Sequence, residues 1–127
     1  MEYVFTDGQL DPPADDDVIS NAVERLGVVL PDDYIQFLRT HSGGEGLIGE
    51  NYIVLWKTGE LRPFNEEYEV DQYAPGGLLF GSSGGGEGYR FDTQDATMPV
   101  VRIPFIGMDR QYAVVVARSC TDLLVVQ

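Results

Sequence analysis

Residues 81–85 of this 127-residue sequence match the pattern that surrounds a catalytic serine in some hydrolases. Their order, Gly-Ser-Ser-Gly-Gly, fits the Gly-x-Ser-x-Gly pattern of a nucleophile elbow, which needs a strand-to-helix turn and a histidine later in the chain. His41 is the single histidine and precedes Ser83, and the residues on both sides of the glycines are typical of strands. The glycine segment is therefore predicted to be a β-hairpin. His41 is not expected to bind a metal, because the sequence has no second histidine to act with it.

The same glycines have the spacing of a phosphate-binding loop, since four residues separate Gly81 from Gly86. Glu87 occupies the position where that loop needs a lysine, and its carboxylate would repel a phosphate. A tight turn explains the glycines better, because such turns need positive φ angles. We expect a positive φ at one or more of the glycines in residues 84–88.

Acidic residues form three clusters that could bind metal or act as acid and base. They are Asp15 to Asp17, Asp32 with Asp33, and Glu66, Glu67, Glu69 and Asp71. None follows the order of a calcium loop, and one cysteine with one histidine cannot build a zinc site. We therefore expect no metal and no cofactor. An enzyme that acts on sugars through a pair of carboxylates stays open as an alternative, because any acidic chain offers such pairs.

The third acidic cluster is the candidate protein-binding edge. Its members are Glu66, Glu67, Tyr68, Glu69, Asp71 and Tyr73, in a stretch that we expect to be a connection rather than a helix. Aromatic side chains beside carboxylates suit a binding hot spot for a basic partner. The alternative interpretation is that these residues form a solvent-exposed loop without a binding role.

The charge of the chain restricts its partners. It has 21 acidic and 8 basic side chains and a net charge of −13, which repels nucleic acid and anionic membranes and attracts basic proteins. Solubility or a salt-adapted proteome would explain the acidity equally well. The sequence starts without a basic region followed by an apolar run and has no apolar stretch of about 18 residues. We therefore expect a cytoplasmic protein.

Two helices are predicted before the first strand. Apolar spacing indicates an amphipathic helix over residues 15–26 that ends at Gly27. Pro31 suits the first turn of a second helix, which carries His41 at its C-terminal end. We expect His41 to interact with that end and residues 42–44, Ser-Gly-Gly, to cap it.

Strands follow the helices. The predicted strands cover residues 52–56, 77–80, 89–92, 100–103 and 112–116. The last is apolar enough to predict a central position, and residues 119–122 have the form of a capping box that opens a short helix. Helices followed by strands, without βαβ alternation, indicate an α+β fold: one domain over residues 1–127, with a twisted, mainly antiparallel sheet packed against N-terminal helices. Trp56 and Cys120 are expected in its core.

Several of these segments together resemble the SUKH superfamily, which includes a yeast regulator of cell-wall synthesis and many bacterial immunity proteins. The matching positions are Leu30, Pro31, Asp33, Tyr34, Phe37, Gly43, Gly44, Trp56, Gly81, Gly86 and Glu87. The resemblance spans about residues 18–124, and the Leu-Pro-x-Asp-Tyr-x-x-Phe-Leu segment is its most specific part. Ser42 stands where the family usually has asparagine, and Cys120 where it usually has an aromatic residue.

The resemblance implies a protein-binding domain and supplies no catalytic residues. In bacteria such a domain is often an antidote that occupies a toxin, commonly a nuclease. We therefore expect an immunity protein, not an enzyme, whose acidic face covers a basic toxin domain. Two alternatives stay open: a scaffold or regulatory module like the eukaryotic members, and a small enzyme that uses paired carboxylates.

The lack of metal-binding patterns makes a simple prediction. Protein purified without added metal is expected to contain neither zinc nor calcium in stoichiometric amount, because the sequence has no ligand set for either ion. Elemental analysis by mass spectrometry measures this directly. One equivalent of either metal would contradict the prediction.

Overall fold

The computed structural model describes residues 6–27, 29–48, 51–68, 76–108 and 110–124. Within these ranges, seven strands form one antiparallel sheet in which each strand pairs with the next along the chain. The strands are β1 (Thr6–Leu10), β2 (Gly44–Ile48), β3 (Asn51–Leu55), β4 (Gly77–Ser82), β5 (Glu87–Asp92), β6 (Val100–Pro104) and β7 (Val114–Ala117). The helices are α1 (Asp16–Leu26), α2 (Asp32–Thr40), α3 (Leu61–Glu67) and α4 (Cys120–Leu124), with 3-10 turns at Thr58–Glu60 and Arg110–Tyr112. The predicted α+β class and short C-terminal helix are confirmed.

Helix α2 packs an aromatic side chain against the sheet. The ring of Tyr34 lies 5.4 Å from that of Phe80 on β4 and 5.0 Å from that of Phe91 on β5. Phe37 and Leu38 of the same helix are buried as well. The apolar face predicted from the spacing of these residues is therefore the face that covers the sheet.

The ends of the two N-terminal helices differ from each other. Gly27 ends α1 in the predicted way, with a φ of 68° and its N–H donating to the Val23 carbonyl. Helix α2 instead ends at His41 in an extended conformation, so the prediction that residues 42–44 cap it is wrong. A Cβ on Gly43 would lie 2.6 Å from the Leu55 carbonyl oxygen, which shows that this glycine permits close approach to β3.

The C-terminal helix α4 is held at its start by two carboxylates and a hydroxyl. Ser119 accepts a hydrogen bond from the Asp122 N–H at 3.0 Å, as the predicted capping box requires, and the Asp122 carboxylate accepts from the Arg118 N–H at 3.1 Å. Asp33 of α2 accepts from the N–H and the hydroxyl of Thr121 at 2.8 and 3.0 Å. The family-motif aspartate therefore joins α2 to a helix 88 residues later.

One prediction about the strands is wrong, and two further strands are not predicted by the sequence. Strand β7 is an edge strand and not a central one, and its Val114 and Val115 are 54% and 62% exposed. Strands β1 and β2 are not predicted, since glycine and polar residues give these segments little intrinsic strand preference. They form because they pair with each other and with β3.

Residues 61–67 form helix α3 where a polar connection is predicted for Glu66 and Glu67. Pro63 lies in the first turn, where the absent N–H breaks no helical hydrogen bond. The guanidinium of Arg62 is 2.9 Å from the carboxylate of Glu66 one turn later, and Leu61 is fully buried. These contacts, which the composition of the segment does not indicate, explain the helix.

The side chain of Asn65 fastens α3 to the sheet. Strand β3 leaves β4 after Leu55, and the Trp56 N–H then donates to the Phe80 carbonyl at 3.0 Å. The next residue of β4, Leu79, donates its N–H to Asn65 Oδ1 at 2.9 Å, and Asn65 Nδ2 donates to the Leu79 carbonyl at 2.9 Å. The side-chain amide of Asn65 thus makes the two hydrogen bonds with Leu79 that a residue of a neighbouring strand would otherwise make.

The glycine-rich segment between β4 and β5 is a hairpin, as predicted. Gly84 has a φ of 78°, which confirms the expected positive φ in residues 84–88. The Ser83 hydroxyl accepts hydrogen bonds from the N–H groups of Gly85 and Glu87 at 3.3 and 3.4 Å. A strand follows the turn, so Ser83 does not occupy the strand-to-helix turn of a nucleophile elbow.

Two glycines of this hairpin provide a matched pair for a stability test. A Cβ on Gly88 would lie 2.6 Å from the Phe105 ring and 2.8 Å from Leu79, whereas a Cβ on Gly86 would have no neighbour within 4 Å. We expect Gly88→Ala to lower the free energy of unfolding by about 1–3 kcal/mol through overpacking. Gly86→Ala should change it by less than about 0.5 kcal/mol. Urea unfolding measures both, and equal stability of the two variants would contradict this packing.

Candidate protein-binding surfaces

The predicted acidic edge lies partly on α3. Glu66 and Glu67 are exposed in the last turn of this helix, and Tyr68 follows them. Glu69, Asp71 and Tyr73 lie outside the described residues. The two described carboxylates therefore point to α3 as the element that presents this edge.

Tyr68 has a packing role that its sequence neighbours do not suggest. Its ring stacks on that of Phe105 with the centroids 4.3 Å apart and the planes 7° apart, and on that of Trp56 at 6.2 Å and 10°. Trp56 also meets the edge of Phe64 at 4.9 Å. Trp56 is buried, as predicted, and the row of rings fixes the C-terminal end of α3 against β6.

The 3-10 turn at Thr58–Glu60 separates two grooves and is itself firmly held. Thr58 is buried, its N–H donates to the Ser42 hydroxyl at 3.1 Å, and the two hydroxyls are 2.9 Å apart. The Lys57 N–H donates to the Glu60 carboxylate at 2.8 Å. Ser42, where the family usually has asparagine, thus positions the wall between the grooves.

The first groove lies between α1 and α3, and we call it the α1–α3 groove. It encloses about 320 Å³. Its lining residues are Val18, Asn21, Ala22, Arg25, Thr58, Gly59, Arg62, Pro63 and Glu66. Two guanidinium groups and one carboxylate are its charged groups, so its local charge is opposite in sign to that of the chain as a whole.

The second groove, on the other side of the turn, is acidic, and we call it the acidic groove. It encloses about 240 Å³. Its lining residues are Gln9, Asp11, Gly44, Glu45, Val54, Leu55, Lys57 and Glu60. Three carboxylates face one ammonium group there. The Tyr52 hydroxyl donates to Glu45, and this hydrogen bond is the main cause that raises the Tyr52 pKa. Sequence reasoning missed this groove because its acids are far apart in the chain.

The third surface is the apolar edge beside β7. Its exposed apolar side chains are Ile106, Tyr112, Val114 and Val115. Val114 and Val115 lie on β7, and Ile106 and Tyr112 lie between β6 and β7 in the chain. The backbone groups on the open side of an edge strand can pair with another strand. Sequence reasoning placed this strand in the centre of the sheet and therefore missed the surface.

The other family-motif residues take part in packing, turns or ion pairs within the fold. Leu30 is buried, and Pro31 precedes the first residue of α2. A Cβ on Gly81 would lie 2.6 Å from the Val54 carbonyl oxygen, and the Glu87 carboxylate is 3.1 Å from the Arg102 guanidinium. These positions build the scaffold.

The histidine and the cysteine also take part in folding. His41 Nδ1 is 3.0 Å from the Asp11 carbonyl oxygen, so the imidazole joins the end of α2 to the segment before α1. Cys120 is 1% exposed, as predicted, and burial together with the nearby Asp33 carboxylate raises the pKa of its thiol. Within the described ranges, no group of three or more histidine, cysteine, aspartate or glutamate side chains is placed to hold a metal ion.

The chain also matches a known protein family in sequence. The sequence model of the SMI1/KNR4 family (SUKH-1) matches residues 13–125. The chain therefore belongs to this family, and the resemblance noted in the sequence is confirmed. At family level this supports a protein-interaction or immunity-type domain. None of the curated proteins matches the chain. In the part of the chain that the structure describes, no helix has the length and apolar character needed to cross a membrane.

The raised pKa of Cys120 predicts how stability depends on pH. In the unfolded chain the thiol loses its proton near pH 8.5, whereas the folded chain keeps it, so alkaline pH favours unfolding. Between pH 8.5 and 9.5, wild type should lose about 1 kcal/mol more of its free energy of unfolding than Cys120→Ala does. Denaturant unfolding at the two pH values tests this. The same pH dependence in both proteins would show that the thiol titrates in the folded state.

Proposed function

We propose that this chain is an immunity protein that neutralises a basic bacterial toxin by binding it, and that it is not an enzyme. Its membership of the SUKH-1 family carries the proposal, since that family is of the protein-interaction or immunity type. The expected location is the cytoplasm, where an antidote meets a toxin before the toxin acts.

The acidic surface supports a basic partner. Glu66 and Glu67 are exposed at the end of α3, and the acidic groove adds Asp11, Glu45 and Glu60 on the other side of the 3-10 turn. A net charge of −13 attracts a cationic toxin over roughly a Debye length, about 8 Å at physiological salt. Close contact then excludes the toxin's substrate from its cationic active site.

The positions of the reactive side chains support binding over catalysis. Ser83 accepts hydrogen bonds within its hairpin, His41 contacts a backbone carbonyl, and the Cys120 thiol is buried with a raised pKa. A nucleophile needs a base within hydrogen-bond reach and access to substrate. Each of these three groups is engaged in folding instead.

The direct test of the proposal uses a toxin encoded beside the gene for this chain. Expression of that toxin domain alone should arrest bacterial growth, and coexpression of this chain should restore it. The purified pair should form a complex of defined stoichiometry in size-exclusion chromatography. Arrest that persists with a folded, coexpressed chain would contradict an immunity function, and absence of any toxin gene nearby would favour a scaffold.

Electrostatic attraction predicts the effect of charge reversal on binding kinetics. Replacing Glu66, Glu67, Glu69 and Asp71 by Lys should slow association with the toxin by at least about tenfold at low salt, and this difference should shrink at high salt. Stopped-flow fluorescence measures the rates.

A matched variant separates the local effect from net charge. The control carries Lys in place of Asp15, Asp17, Glu24 and Asp32, which lie on the exposed surfaces of α1 and α2 and next to them. It has the same net charge as the first variant and should slow association less. Equal rates for wild type and both variants at every salt concentration would remove electrostatic attraction from the mechanism.

A further inference from the structure

We propose that the α1–α3 groove is a second docking site, which binds a partner segment with an apolar side chain next to a carboxylate. This inference does not depend on the immunity function. It follows from the shape of the groove, its apolar floor and the two arginines at its edge.

The floor of the groove exposes apolar surface in a concave site. Val18 is 46% exposed although it lies on α1, whose Ile19 is buried in the core. Ala22, one turn after Val18, and Pro63 on the facing helix line the same groove. An apolar side chain of a partner would remove this surface from water, which is the main favourable contribution to most protein association.

The two arginines are held in place by neighbours on their own helices. Arg25 Nε donates to Asn21 Oδ1 at 3.2 Å, and Arg62 Nε donates to Glu66 Oε1 at 2.9 Å. Each contact uses one of the five N–H donors of a guanidinium and leaves the terminal nitrogens, which can bind a carboxylate with two parallel hydrogen bonds. Pre-positioned guanidinium groups lose less side-chain entropy on binding.

Charge complementarity identifies the partner as acidic at this point. Among the basic side chains whose exposure the structure describes, five are exposed: Arg25, Arg62, Arg39, Lys57 and Arg118. Arg39 is 2.9 Å from the Asp16 carboxylate. The α1–α3 groove is therefore a basic site on an acidic protein. A basic partner segment would be repelled by the two guanidinium groups of the groove. A carboxylate of the partner would be attracted by them, and the one carboxylate that would repel it, Glu66, already forms an ion pair with Arg62.

A protein segment fits the site better than a nucleic acid. Phosphates would also bind guanidinium groups, but a polyanion that extends beyond the groove would meet a chain with a net charge of −13. The apolar floor of the groove would make no favourable contact with a sugar-phosphate backbone, which is polar and charged. A short segment with one or two carboxylates beside leucine, isoleucine or phenylalanine matches both features.

The test selects peptides without a toxin, so that its failure and the failure of the immunity function are distinguishable. The full chain is immobilised and used to select from a phage library of random peptides of about 12 residues. We expect the selected sequences to combine aspartate or glutamate with a large apolar residue. The best peptide is then made with a fluorescent label, and fluorescence anisotropy gives its Kd.

Three variants assign the binding to the groove. Arg25→Glu combined with Arg62→Glu, and separately Ala22→Trp, which fills the groove without changing charge, should each raise Kd at least about tenfold. Val115→Lys on the β7 edge should leave Kd unchanged, and circular dichroism establishes that each variant is folded. Selection of no common motif, selection of basic peptides or of an oligonucleotide in a parallel assay, or an unchanged Kd in both groove variants would overturn the proposal.

Discussion

The hydrogen bonds between the Asn65 side chain and the Leu79 backbone are the interaction on which the arrangement of the surface depends. Strand β3 leaves the sheet early, and a buried N–H and carbonyl without partners would cost free energy. A single amide supplies both partners and thereby fixes the position of α3. Because α3 is held there, Tyr68 reaches Phe105 and Trp56, and Arg62 and Glu66 face α1.

The two grooves beside the Thr58–Glu60 turn have opposite local charge although they share a wall. The α1–α3 groove has an excess of basic groups, and the acidic groove has an excess of carboxylates. Uniform acidity attracts any basic protein, whereas a pattern of both signs favours a partner whose charges are arranged in the complementary way. We propose that the net charge speeds the encounter with a partner and that the pattern of charge around the turn gives specificity.

Sequence patterns predicted the features that depend on local spacing. Helix α1 with its Gly27 cap, the apolar face of α2, the hairpin around Gly84 and the Ser119 cap of α4 each result from interactions between neighbouring residues. They were therefore visible in the sequence.

Features that depend on distant residues were not predictable in this way. Helix α3 has few apolar residues and a proline, and it forms because Leu61 is buried and Asn65 bonds to a strand 14 residues later. Strand β7 has a fully apolar run but lies at the edge, since strand order is decided by pairing and not by composition. The acidic groove likewise brings together Asp11, Glu45 and Glu60 from separate parts of the chain.

We propose that α3 and the Thr58–Glu60 turn form the surface that contacts a toxin. Hydrogen exchange followed by mass spectrometry, on the chain alone and in complex with a toxin encoded beside its gene, tests this contact. We expect slower exchange of the backbone amides of residues 57–68 in the complex, with little change in the β4–β5 hairpin. Protection confined to the β7 edge or the hairpin, with unchanged exchange in residues 57–68, would contradict it.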